Sequence, residues 1–321
     1  MRPVRNASRW LTAIAAATVA AAPAAHAQAF PNRTIEVIVP FAAGGGTDII
    51  ARAVASAMSD DLGQRLVVLN RDGAGGTLGF GALATAAPDG HTLAFSPSTP
   101  VTNAPYLVKG VKSGVESFDY VCQVFENVFA IAVRGASRFK TAQELFAAAR
   151  EQAGLAYGHA GAGSIPHLSM ANAADALRLK LRAVPFRGDA AILPVLLQGD
   201  LDFAAVALSS IREQDIRVLA VFADKRQPSA SDAPVLPELG VSENVPPGFN
   251  GIYAPKGLAA PVLKTLQDAC AKAMGAGVVT RAIANTGQAV AFMDGDAFRK
   301  RIVADYTWKG QLVQRLGLKQ E

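Results

Sequence analysis

VIVPFAAGGGTDIIAR, residues 37–52, passes from a β-branched apolar run through a proline and three glycines into an amphipathic pattern. Val37, Ile38 and Val39 form the continuous run expected of a strand buried on both faces of a parallel sheet. Pro40 ends it, having no amide proton to give to a ladder. Gly44, Gly45 and Gly46 open backbone angles closed to other residues. Thr47 or Asp48 is placed to cap a helix whose apolar stripe is Ile50, Val54, Met58 and Leu62. Strand, tight loop and helix start, in that order, open an α/β unit. Two readings of the loop stand side by side. Free amides at a helix start attract anions, and a tight βα turn needs glycine for its shape alone.

The grammar continues along the chain. Residues 65–70 read as a second strand, followed by Gly73, Gly75 and Gly76 and a short helix through Leu83. Pro88, Asp89 and Gly90 make a turn into a strand over 91–95, and a polar loop, SPSTPVTNAP, follows. Residues 120–133 are β-rich and interrupted at Glu126-Asn127, after which the pattern starts again. A helix is expected over 141–153, a strand over 155–157, the loop HAGAGS, a helix opening at Ser164, and a strand over 181–186. The loop RGD then leads to a helix that Pro194 delays to about Ile192, and strands are expected over 201–207 and 217–223. A proline-rich linker, 228–247, precedes a short strand over 251–254 and helices over 261–274, 278–285 and 296–316. Three helices with one strand cannot bury themselves. They are expected to return to the first sheet, which gives two α/β domains, two crossings between them and a cleft.

Arg2, Arg5 and Arg9 precede an uncharged alanine-rich run over 11–22, and Ala25-His26-Ala27 has the small-x-small form of a cleavage site. This predicts a secretory signal peptide cut after about Ala27 and export to the periplasm. Of the 31 Lys and Arg residues, three lie in that segment, leaving 28 against 26 acids in the mature chain. The basic residues are dispersed, so neither nucleic acid nor membrane insertion is expected. Cys122 and Cys270 have no metal-ligand spacing, and in an oxidising compartment they are either a pair or two buried small hydrophobes.

Catalytic patterns fail on their spacing. The glycine-rich loop has Thr47-Asp48 where a phosphate-binding loop needs lysine. Gly79-x-Gly81-x-x-Ala84 matches the form of a dinucleotide fingerprint but follows a loop rather than directly following a strand, which argues against nucleotide binding. Ser164 and His167 invite a secreted-hydrolase reading, yet Ala162 and Pro166 stand where a nucleophile elbow needs glycines. Ser164 is read as a helix cap and His167 as a first-turn surface residue. No metal and no cofactor is expected. What remains is a set of glycine-bearing loops, PFAAGGGTD, GAGGT, HAGAGS and PFRGD, that end in helix N-termini in both domains.

The ordered set PNRTIEVIVPFAAGGGTDIIAR, NRDGAGGTLG, PDGHTL, AYGHAGAGSIPHL, VPFRG and LLQGDLDF resembles the Bug, or TctC-type, periplasmic solute-binding proteins of the tripartite tricarboxylate transporters. The resemblance implies a type II periplasmic-binding fold, two α/β domains joined by a two-strand hinge, that closes like a Venus flytrap on a small carboxylated solute. It implies a signal peptide over 1–27, a first domain over 28–126 and 250–321, and a second over 127–249. It further implies a receptor, monomeric and not an enzyme, that serves a membrane permease, with a sensor kinase as the other candidate partner. The first domain's contacts map onto Phe41, Ala42, Ala43, Gly44, Gly45, Thr47, Gly75 and Gly76. Ser96 and Ser98 are candidate hydroxyl donors. The second domain's contacts map onto His159, Gly161, Gly163, Ser164, Phe186, Arg187 and Asp189. An acid at position 189 departs from the family pattern and would repel a second carboxylate unless Arg187 offsets it.

Overall fold

The computed structural model describes residues 30–151, 154–211, 214–242 and 245–318. The proposed signal segment lies outside the described residues. The first part of the chain runs β1 (Ile35–Val39), α1 (Gly46–Leu62), β2 (Leu66–Asn70), α2 (Thr77–Ala84), β3 (Thr92–Pro97), α3 (Thr99–Thr102), α4 (Ala104–Leu107) and β4 (Phe118–Glu126). The middle part runs β5 (Phe129–Arg134), α5 (Ala142–Glu151), β6 (Leu155–His159), α6 (Ile165–Leu177), β7 (Leu181–Pro185), α7 (Asp189–Gln198), β8 (Phe203–Ala207), α8 (Leu208–Ile211) and β9 (Ile216–Val221). The last part adds β10 (Phe249–Pro255), α9 (Ala260–Met274), α10 (Gly277–Asn285), β11 (Ala289–Asp294) and α11 (Gly295–Arg315).

These strands make two mixed sheets, one ordered β11-β4-β10-β3-β1-β2 and the other β7-β6-β8-β5-β9. The β-branched run of β1 lies between β2 and β3, parallel to both. Val37, Ile38 and Val39 are at most 3% exposed, as a strand covered on both faces demands. On one face Ile50, Val54 and Met58 of α1 pack with Leu266 of α9 and Ile283 of α10. On the other, Phe80 of α2 packs with Phe298 and Ile302 of α11. Each fully buried side chain of this size contributes about 1.5–3 kcal/mol. The second sheet is likewise covered, by α5 and α6 on one face and by α7 and α8 on the other.

The chain leaves the first sheet at Glu126 and enters the second at Phe129, then returns at Phe249. The two crossings lie side by side, with the Asn127 amide donating to the Gly248 carbonyl at 2.6 Å. Asn250 Nδ2 also donates to Asn127 Oδ1 across them. Cys122 of β4 and Cys270 of α9 form a disulfide, which resolves the alternative left open by spacing and ties together segments 148 residues apart.

Three local expectations are corrected. The last segment carries a second strand, β11, which pairs antiparallel with β4. Its alternation is concealed in the sequence because its outward residues, Val290 and Phe292, are apolar too. The loop SPSTPVTNAP instead folds into two single-turn helices, each with proline in its first turn, and Ser96, Ser98, Thr102 and Asn103 are buried. Finally, α7 begins at Asp189 and contains Pro194. The proline forfeits only the bond to the carbonyl of Ala190, and both residues are exposed, so water replaces it. Among the described residues, no helix is long and apolar enough to cross a membrane.

Candidate functional site

The four glycine-bearing loops follow β1, β2, β6 and β7, at the C-terminal ends of parallel strands, where α/β sheets place their ligands. In the first loop, Asp48 is the organising side chain rather than an N-cap. Its Oδ2 accepts from the Gly44 amide at 2.9 Å and from Arg52 Nε at 3.1 Å. Its Oδ1 accepts from Arg52 and from Asn70 Nδ2, each at 2.9 Å. Burial opposes ionisation of this carboxyl, but the Arg52 guanidinium and the Gly44 and Asn70 amides outweigh it and hold its pKa below the usual value. The Gly44 amide is therefore committed to Asp48. Gly45 is the helix cap and brings no side chain to it. The first amides of α1 thus have neither a carbonyl one turn back nor a capping oxygen. Ala42, Ala43, Gly44 and Gly45 are exposed beside them. Thr47 lies inside the first turn, and its hydroxyl donates to Asn250 Oδ1 at 3.4 Å.

The second loop is fitted against the first. Gly76 has φ 95°, and a Cβ there would lie 2.8 Å from Pro100 Cγ and 3.3 Å from the ring of Phe41. Only glycine lets the two loops and α3 approach so closely. Gly75 is exposed, with open space where a Cβ would stand. Ser96 Oγ donates to the Pro97 carbonyl at 2.9 Å, so its proton is committed. Ser98 is fully buried, and its Oγ has no hydrogen-bond partner among the described residues.

In the third loop, strand alternation puts His159 on the same face as Leu155 and Tyr157, under α6. Its ring is 2% exposed and stacks on His167, with centroids 4.4 Å apart and planes 15° apart. Its Nδ1 lies 2.9 Å from the Gly161 carbonyl. Burial and the neighbouring His167 push its pKa down to about 4, against that hydrogen bond. His159 therefore supports the loop from beneath, and His167 is half-buried against it rather than a surface residue. Ser164 caps α6 as expected, accepting from the His167 amide at 3.4 Å. His167 Nδ1 in turn accepts from the Gly163 amide at 3.0 Å. The serine serves the main chain and the imidazole serves the loop, so the pair is not arranged as nucleophile and base.

In the fourth loop Phe186 is half-buried against Gly158 and Arg187 is exposed. Asp189 Oδ2 accepts from the Ala207 amide at 2.9 Å and from Ser210 Oγ at 2.8 Å, which straps α7 to the turn after β8. Burial raises its pKa, against those two bonds. Asp189 is thus a strut between neighbouring loops.

The two domains meet around these loops. A Cβ on Gly46 would lie 3.4 Å from Ser209 Oγ, and Gln288 Nε2 donates to that hydroxyl at 2.9 Å. Asn103 Nδ2 donates to the Gly163 carbonyl at 2.6 Å. Asn103, Asn250 and Gln288 were not among the sequence candidates. Their one signal was an asparagine or glutamine beside otherwise apolar or proline-bounded runs.

Two α/β domains joined by adjacent crossings, with helix N-termini from both turned to their boundary, define a two-domain solute receptor. Comparison with known proteins identifies its kind. The description "Tripartite tricarboxylate transporter family receptor" matches residues 50–318. A Cupriavidus necator protein described as "UPF0065 protein in gbd 5'region" is 31% identical over 311 residues, covering 95% of this chain and 94% of that one. The periplasmic binding protein BugD is 27% identical with a TM-score of 0.83, over 91% of this chain and all of its own. MatC of Rhodopseudomonas palustris, solved with bound malate, is 27% identical with a TM-score of 0.79, over 88% of this chain and all of its own. The chain belongs to the tripartite tricarboxylate transporter receptor family, the TctC or Bug proteins, which are periplasmic solute-binding receptors.

Proposed function

We infer that this receptor captures a small carboxylate between its domains and delivers it to the membrane permease of a tripartite transporter. The observation that carries this reading is the start of α1. Asp48 takes up the Gly44 amide and leaves the following amides uncapped beside an exposed, side-chain-poor loop. Such a site favours an anion without a buried cation. The malate bound to MatC supports the same ligand class. The domain limits adopted are 28–126 with 250–321, and 127–249, although Phe249, which opens β10, already pairs with Glu126 in the first sheet. The first domain holds the carboxylate through loop amides, and residues around Gly161, Gly163, Ser164, Phe186 and Arg187 select the rest of the solute. Because the Asp189 carboxylate is engaged by Ala207 and Ser210, it does not confront a second carboxylate as a bare charge.

Calorimetry and thermal shift on the mature protein, across mono- and dicarboxylates, amino acids and aromatic acids, test this. A solute at 100 times its Kd should stabilise the protein by about 2.7 kcal/mol. A folded protein that responds to none of them would overturn the reading. Ser164→Ala should leave binding chemistry without turnover in both forms, and substrate conversion that vanishes in the variant would establish the hydrolase alternative instead.

A further inference from the structure

A chain of buried polar groups runs from the last helix of the first domain to the third loop of the second. Lys309 Nζ on α11 donates to Asp305 Oδ2 at 2.6 Å and to Thr102 Oγ1 at 3.2 Å. Thr102 Oγ1 donates to Asn103 Oδ1 at 2.8 Å, and Asn103 Nδ2 donates to the Gly163 carbonyl at 2.6 Å. Lys309, Thr102 and Asn103 are 0% exposed and Asp305 is 4% exposed. Most polar groups this deep are paired, and each of these four side chains has at least one partner, although Asp305 Oδ1 has none among the described residues.

We propose that Asn103 is a positioning residue that holds the third loop from the opposite domain, and that the Lys309 ammonium sets the direction in which it acts. An ammonium has protons to give and no lone pair, so Thr102 Oγ1 must accept from it. The single Thr102 proton then goes outward. Asn103 Oδ1 at 2.8 Å is a nearer acceptor than the Ser98 carbonyl at 3.2 Å. That turns the Asn103 oxygen to Thr102 and its NH2 to Gly163, whose carbonyl can only accept. The same glycine is held at two further points. Its amide donates to His167 Nδ1, and a Cβ on it would lie 2.7 Å from Leu107 Cδ1. Gly163 immediately precedes Ser164, the cap of α6, so fixing its peptide fixes the start of that helix. Since Asn103 and Gly163 lie in different domains, the loop reaches this form only while the domains are approached. The consequence for binding rests on the third loop being a ligand loop, but the hydrogen-bond chain does not.

Hydrogen–deuterium exchange on the full mature chain, with no solute added, tests the chain by itself. Thr102→Val keeps the shape and removes the hydroxyl, Thr102→Ser keeps the hydroxyl, and Asn103→Asp sets a carboxylate against the Gly163 carbonyl. Exchange over residues 159–168 should rise roughly tenfold in Thr102→Val and Asn103→Asp, the scale of one buried hydrogen bond. It should stay near wild type in Thr102→Ser, and β1 to β3 should not change in any variant. Three results would overturn the proposal: wild-type exchange over 159–168 in Thr102→Val, a rise shared equally by both sheets, or Thr102→Ser behaving as Thr102→Val. Should Asn103→Asp fail to fold, the Thr102 pair alone decides.

Discussion

Asp48→Ala should loosen the first loop while leaving the core intact. The Asp48 side chain is 4% exposed and receives the Gly44 amide, the Asn70 amide and two Arg52 donors. Bonds to a charged acceptor contribute about 1.5–3 kcal/mol each, but they are not additive. The Arg52 side chain is 51% exposed and regains water once released, so its share is small. The half-buried Asn70 donor carries most of the loss, with a smaller share from the exposed Gly44 amide, which sets the expected cost near 2 kcal/mol, or roughly 4–8 °C in Tm. The pH dependence has a definite sign. The folded carboxyl titrates below the ordinary value of 3.8, so the unfolded chain binds its proton first as pH falls. The stabilisation is fully present above the unfolded pKa and is lost as pH drops through the lower folded one. Urea denaturation of both proteins at neutral pH and at a series of acidic pH values measures this. A difference below about 0.5 kcal/mol at neutral pH, the scale of an ordinary surface substitution, would refute the reasoning. So would a difference that persists unchanged once both forms are protonated.

Cys122→Ala with Cys270→Ala should lower stability by about 3–5 kcal/mol, because the crosslink closes a long loop, and reductant should reproduce the loss in the wild type. Urea midpoints that do not move in either case would contradict this. In an NMR titration the His159 imidazole should stay neutral down to about pH 5, with its midpoint near 4. Since the unfolded histidine protonates near 6.5, its contribution to stability is complete above that value and declines as pH falls towards 4. A midpoint at or above 6.5 would show the ring to be solvated. Gly76→Ala should destabilise by about 1–3 kcal/mol, from positive φ and the close approach of Pro100 and Phe41, and equilibrium unfolding reports it.

Much of the architecture was legible because its causes are local. The β-branched run ending at Pro40, the glycines after it and the stripe Ile50, Val54, Met58 specify strand, loop and helix without reference to the rest of the chain. β11 was not legible, since Val290 and Phe292 are apolar on the exposed side and erase the period that marks a half-buried strand. The loop SPSTPVTNAP was legible only as a polar loop. The fold buries it, because α11 and the third loop supply partners for Thr102 and Asn103 that lie 207 and 60 residues away.

The same division runs through the site. Sequence by itself determined that glycine-bearing helix starts recur in two α/β units, since that follows from residue type and short spacing. Tertiary structure alone decided what each side chain does there. Asp48 commits the Gly44 amide, His159 turns under α6, Asp189 becomes a strut, and Cys122 finds Cys270. Each of those outcomes depends on which way a side chain points and on a partner distant in sequence or held by another loop. Direction and distant partnership are set when the sheets and their covering helices pack, and a linear pattern does not contain them.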